Sequence, residues 1–194
     1  MKHLVIGLGN PGEDYARTRH NIGFMAVDAL AGRYHCPAWK KKFRGAVTGA
    51  DDFLLLKPHT YMNLSGESAG EAVRFHNIAV DNVIVFHDDL DLPPGQVKVK
   101  QGGGSGGHNG LKSLDAHIGP NYWRVRLGIG RPMTEQGEPV KGDAVTHYVL
   151  NPFPRADHVW LDPLLAALAG GFDRALAGDY AGYVAGLPKP SVKT

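Results

Sequence analysis

Short apolar, β-branched runs recur along the chain with helix-like stretches set between them, and this rhythm limits the fold more than any other feature. Residues 4–6, 53–56, 83–86 and 97–99 have the length and composition of strands, whereas 22–34 and 68–76 carry helical spacing. Alternation of this kind predicts an α/β fold. With 194 residues and 43% apolar content, the chain can bury one substantial core. Residues 1–187 are therefore read as a single domain, and 188–194, PKPSVKT, as a frayed tail. Between 155 and 176, Leu161, Leu164, Leu165 and Leu168 recur at core spacing, with Pro163 expected to start or kink a helix.

The formal net charge is only +2, so a basic surface has to come from clustering. Residues 92–133 supply it: Lys98, Lys100, Lys112, Arg124, Arg126 and Arg131 stand against Asp115 alone, six against one. Val97-Lys98-Val99-Lys100 and Arg124-Val125-Arg126-Leu127 alternate with the period of a strand that has one buried face. Lys98 and Lys100 then share a face, as do Arg124 and Arg126, and both pairs are expected to point outward as an anion-binding surface. Cys36 is the only cysteine, which excludes an internal disulfide and a thiolate zinc cluster and suits a reducing cytoplasm. The apolar start is broken too soon for a signal peptide, and no stretch approaches the roughly 20 apolar residues of a membrane span.

Three patterns invite a chemical reading. Gly7, Gly9 and Gly12 in GLGNPG fit the dinucleotide fingerprint GxGxxG. Such a turn should run straight into a helix, yet Asn10-Pro11-Gly12 is a turn signal, and helical spacing begins only at Ile22. No acidic residue ends a second strand about 20 positions on, so no dinucleotide partner is expected. Ser105, within the glycine run 102–110, satisfies GxSxG, the nucleophile elbow of serine hydrolases. An elbow needs a tight strand-to-helix turn, and this serine lies several residues from either flank. His87-Asp88-Asp89-Leu90-Asp91 follows the run 83–86, at the strand end where catalytic groups collect. It offers carboxylates for Mg²⁺ or Zn²⁺, but consecutive side chains on an extended segment diverge, and no second ligand cluster supports a metal. Asn10, Asn63 and Asn109 each sit beside a turn or glycine-rich segment. Their amides both donate and accept, which suits the polar backbone of a peptide-like substrate.

Together, GLGNPGEDYARTRHNIGF at 7–24, KPHTYMNLSG at 57–66, HDDLDLPPG at 87–95, GGGSGGHNGLKS at 102–113 and RVRLGIGRP at 124–132 resemble the bacterial-type peptidyl-tRNA hydrolases in order and spacing, to about Pro152. The resemblance implies one α/β domain, a mixed twisted β-sheet surrounded by helices, acting as a monomer in the cytoplasm on peptidyl-tRNA, without cofactor or metal. It implies His20 as general base on water, Asp88 orienting its ring, and Asn10 positioning the substrate. It further implies Asn63 and Asn109 beside the scissile ester, Tyr15 and Tyr61 against the tRNA end or the peptide, and Lys100 with Arg126 as a clamp for the tRNA 5′ phosphate. An RNA-binding protein of the same fold without hydrolysis is the alternative. The sequence departs from the family pattern at Ser105, in a variable loop position, and after Pro152, where the match is loose.

Overall fold

A computed structural model describes residues 2–190. Of the expected tail, 191–194 lie outside the described residues, and 188–190 form no helix or strand.

Seven strands form one mixed sheet: β1 (His3–Gly7), β2 (Lys40–Lys42), β3 (Gly45–Gly49), β4 (Phe53–Pro58), β5 (Val83–Asp89), β6 (Val97–Gln101) and β7 (Trp123–Gly128). Their order is β2-β3-β4-β1-β5-β7-β6. β4, β1, β5 and β7 run parallel, while β3 and β6 pair antiparallel to β4 and β7, and β2 antiparallel to β3. The central strands are near-continuous apolar runs because both faces are covered, as a parallel arrangement requires.

Alternation along these strands divides the core in two. Val5, Phe53, Leu55, Ile84, Phe86, Val125 and Leu127 meet α1 (Ile22–Arg33), α5 (His158–Gly170), α6 (Phe172–Leu176) and α7 (Tyr180–Ala185). Leu4, Ile6, Leu56, Val83 and Val85 meet α2 (Ser65–His76) and α3 (Asn109–Ile118) on the other face. A further helix, α4 (Asp143–Leu150), follows the irregular segment 131–142, which carries an isolated Met133–Pro139 bridge. No helix among the described residues is long and apolar enough to cross a membrane.

Gly7 of GLGNPG has a packing role. A Cβ on Gly7 would strike the Gly23 carbonyl, and one on Gly23 would strike backbone of Phe86 and Leu8. Backbone of α1 thus rests on the ends of β1 and β5, close enough that two positions exclude any side chain.

Several expectations are corrected. β2 and β3 escape a pattern search because the first is three exposed lysines and the second is bounded by glycines. α2 begins at Ser65, one turn before the expected start. Pro163 lies inside a continuous α5, so it does not start a helix, and the break comes at Gly171 between α5 and α6. Arg124 does not point outward to solvent. It is fully buried against Tyr122, with its guanidinium bonded to Asp115 at 3.0 Å and to the Gly104 carbonyl at 2.8 Å. Alternation placed Arg124 and Arg126 on one face correctly, but α3 and the glycine loop cover that face at Arg124.

Candidate active site

The C-terminal ends of β1, β5 and β7 open into a cleft of about 670 Å³. Asn10 enters it from the turn after β1. The Asn21 side chain clamps the Asn10 backbone at two points, accepting from its N–H and donating to its C=O, both at 2.9 Å. Asn10 Oδ1 in turn accepts the Met62 backbone N–H at 2.8 Å. With backbone and side-chain oxygen both fixed, the Nδ2 donor has no partner among the described residues and is left for the cleft that Asn10 lines.

His20 sits in a 3-10 turn, Arg19–Asn21, that leads directly into α1. Its Nδ1 lies 2.9 Å from Asp88 Oδ2, at the end of the buried central strand β5. His108, in the position that caps α3, places Nε2 2.8 Å from Asp88 Oδ1. One carboxylate therefore holds two imidazoles. Burial alone would raise the Asp88 pKa, but the two histidines outweigh it and hold the group well below the ordinary carboxylate range. Burial alone would lower the His20 pKa, and the Asp88 charge overrides this, leaving it raised. An ionised Asp88 can only accept, so His20 carries its proton on Nδ1 and keeps a lone pair on Nε2.

The acidic run fans out, each carboxylate taking different partners. Asp89 accepts from Arg126 Nε at 2.7 Å, and Asp91 from Arg131 at 2.9 Å, while Asp88 alone serves the histidines. Neither Asp89 nor Asp91 is placed to orient His20. His20, Asp88 and His108 are the one group among the described residues whose ligand-type atoms gather closely enough for an ion, within 4.8 Å. Those atoms already serve the hydrogen bonds between the three residues, and an ion would have to replace both bonds.

His87, beside Asp88, is buried, and its Nδ1–H donates to the Asp88 carbonyl at 2.8 Å. Burial, with His108 nearby, pushes its pKa down to about 3, so it stays neutral. Ser105 lines the cleft, but its hydroxyl has no histidine or carboxylate partner among the described residues, so the elbow reading has no base to draw on.

The cleft gathers most of the expected residues. Asn10, His20 and Asp88 form its floor, and Tyr61, Asn63, Asn109, Lys100 and Arg126 line it further out. Tyr15 lies outside the lining and meets Tyr61 edge-on, with ring centroids 6.5 Å apart. Tyr61 is more than half exposed and has φ 61° and ψ 160°, a conformation almost confined to glycine. This strained residue turns the chain so that the next N–H, from Met62, reaches Asn10. Two site residues escape a reading of the sequence. His108 gives no signal because histidine is not a favoured capping residue, and Asn21 looks like one more polar residue in a loop.

A family-wide sequence model for peptidyl-tRNA hydrolase matches residues 4–185. The chain belongs to the peptidyl-tRNA hydrolase family. A family member from Rhodospirillum centenum (strain ATCC 51521 / SW) is 52% identical over 194 residues, covering 96% of this chain and 82% of its own. One from Methylobacterium sp. (strain 4-46) is 53% identical over 186 residues, covering 93% and 87%. The fold matches the crystal structure of peptidyl-tRNA hydrolase from Acinetobacter baumannii with a TM-score of 0.86 at 36% identity, over 95% of this chain and 93% of that one. The alignment therefore takes in the C-terminal helices, where the sequence motifs of the family are loosest.

Proposed function

We propose that this chain is a peptidyl-tRNA hydrolase that cleaves the ester between the carboxyl of a peptide, or of an N-blocked amino acid, and a ribose hydroxyl at the tRNA 3′ end, with His20 as general base and no metal. The observation that carries the mechanism is the 2.9 Å contact between His20 Nδ1 and Asp88 Oδ2, which leaves the basic Nε2 free. A water held by Nε2 gives up a proton as its oxygen attacks the ester carbonyl. The resulting oxyanion is met by amide N–H groups, for which Asn10 Nδ2, Asn63 and Asn109 are the available donors. As the intermediate collapses, the imidazolium returns the proton to the departing ribose oxygen. An alcohol is a good enough leaving group that one activated water suffices and no covalent intermediate is needed.

Binding divides between the two ends of the substrate. Tyr15 and Tyr61 offer aromatic surface to the tRNA terminus or the peptide. Lys100 and Arg126 receive the 5′ phosphate: Lys100 has no acidic partner among the described residues, and Arg126 is held by Asp89 through Nε alone, which leaves its terminal nitrogens for an anion. Phosphate contacts position the RNA without reading its sequence, which suits an enzyme serving many tRNAs. The catalytic domain is assigned to 1–187, working as a monomer in the cytoplasm.

The test is release of N-acetyl-amino acid from N-acetyl-aminoacyl-tRNA by wild type, His20→Ala and Ser105→Ala with a chelator present. Hydrolysis by wild type and Ser105→Ala but not by His20→Ala is expected. Loss of wild-type activity that returns without chelator would overturn metal independence. Absence of hydrolysis in both conditions would favour the RNA-binding alternative.

A further inference from the structure

Positive charge also gathers on the opposite edge of the sheet from Lys100 and Arg126, and aromatic rings stand among it. β2 is the outermost strand there, and its Lys40, Lys41 and Lys42 are exposed, with no acidic partner among the described residues. Lys42 Nζ lies 3.8 Å from the centre of the Phe75 ring on α2 and 4.7 Å from that of Phe43. The two rings meet at 5.3 Å, and His76 packs edge-on against both. Lysines on an edge strand guard it against pairing with another sheet. That duty gives no reason for a phenylalanine 64% exposed beside them.

Charge and rigidity both suit a bound anion. Two acids of α2, Glu67 and Glu71, are taken by Arg44, the latter at 2.8 Å. Burial, and then the Lys42 and Lys2 charges, push the His76 pKa down, which marks a positive field at this end of α2. Phe43 and Arg44 form the tip of the β2–β3 hairpin at φ 52° and 51°, a region that bulky side chains avoid. The tip is pinned twice: Ser68 Oγ donates to the Phe43 carbonyl at 2.5 Å, and the His59 N–H to the Arg44 carbonyl at 2.9 Å. A strained but held turn thus presents Phe43 beside Phe75 in a fixed place.

We infer that the β2 edge and the end of α2 form a docking surface for a single-stranded RNA, whose bases stack on Phe43 and Phe75 while Lys40 and Lys42 meet its phosphates. Lys40 and Lys42 share a face of β2 by the period of a strand. Each nucleotide offers a flat ring and a phosphate, which rings interleaved with ammonium groups match. An acidic peptide would satisfy the lysines alone, and a duplex would hide its base faces. The strand is a second RNA, separate from the substrate, because β2 stands six strand spacings of about 4.8 Å, roughly 29 Å, across the sheet from β6. That separation rests on the proposed 5′ phosphate clamp at Lys100 and Arg126.

The probe is a labelled oligouridylate of about 12 nucleotides carrying 4-thiouridine, with binding read by anisotropy across salt and crosslinks mapped by mass spectrometry. Phe75→Ala and Lys42→Ala remove exposed side chains and leave the core intact. In wild type, crosslinks should fall within 40–44 and 72–77. Phe75→Ala should weaken binding about tenfold, and Lys42→Ala should reduce the salt slope by about 0.7, with hydrolysis of N-acetyl-aminoacyl-tRNA unchanged in both. Unaltered affinity in both variants, with crosslinks confined to the cleft, would overturn the inference. Tighter binding of poly-glutamate, or of the matching DNA strand, would overturn the assignment to RNA. Loss of the 40–44 crosslinks in Lys100→Ala would make this surface an extension of the clamp and overturn the second strand. Crosslinks that persist there while Lys100→Ala leaves the salt slope for tRNA unchanged would sink the clamp and uphold the surface.

Discussion

At the scale of the residue, the proposed mechanism depends on a fixed tautomer. Asp88 accepts from His20 and leaves its Nε2 basic. Replacing Asp88 with asparagine supplies an amide that can donate to His20 Nδ1 and reverse the tautomer, so Asp88→Asn should lower kcat by about 10²–10⁴-fold with the fold intact by circular dichroism. Since the His20 pKa is raised, the acid limb of kcat/KM should lie above the ordinary imidazole value of about 6.5, which a pH–rate profile reads directly. His87 gives a stability signature of the opposite kind. Its pKa falls to about 3 in the folded protein, so below pH ~6.5 the unfolded chain binds a proton that the native state refuses. Stability from this group is fully present above pH ~6.5 and lost as the pH falls from there toward about 3. Between pH 7 and 5 the thermal midpoint of His87→Asn should therefore drop less than that of wild type; equal drops would show that His87 is not the responsible group.

At the scale of the element, close backbone contacts and one buried cation set where the loops can go. α1 rests on β1 and β5 through Gly7 and Gly23, where an added methyl would meet backbone with no side chain able to yield. Gly23→Ala should cost about 3 kcal/mol or more in a denaturant titration, and it should also reduce kcat, because His20 precedes this helix by one turn. Arg124 anchors the glycine loop from below, joining the Gly104 carbonyl to Asp115 on α3, while Gly102 N–H bonds the Tyr122 carbonyl. In Arg124→Met the Gly104 carbonyl loses its guanidinium partner and the Asp115 carboxylate keeps only the Tyr122 hydroxyl. A stability loss of about 3 kcal/mol, with KM raised through the freed loop that leads to Asn109, is the expected result. Unaltered KM alongside the stability loss would confine Arg124 to holding the fold.

At the scale of the whole molecule, Lys100 on β6 and Arg126 on β7 stand at one edge of the sheet in a nearly neutral chain, and binding of tRNA should show it. Affinity should fall as salt rises, and the slope of log K against log[salt] should shrink by about one for Lys100→Ala and for Arg126→Ala. Slopes equal to wild type in both variants would remove the clamp. The strand–helix rhythm was legible in the sequence, because period and local propensity act over a few residues, and most residues that gather in the cleft were implied by the family resemblance. Asn10, Asp88 and Asn109 stand out beside a turn, a strand end and a glycine run, whereas His20 was implied by the family resemblance alone. Arg124 shows where that reading stops: alternation fixed its face, but whether solvent or α3 covers the face depends on residues far away in sequence. The same limit hid β2, β3, the clamp of Asn21 on Asn10 and the bond from His108 to Asp88. Their roles are hydrogen bonds between segments with no sequence pattern of their own, so the sequence alone determined which chemistry was present, and the tertiary structure decided that a single carboxylate would hold two histidines.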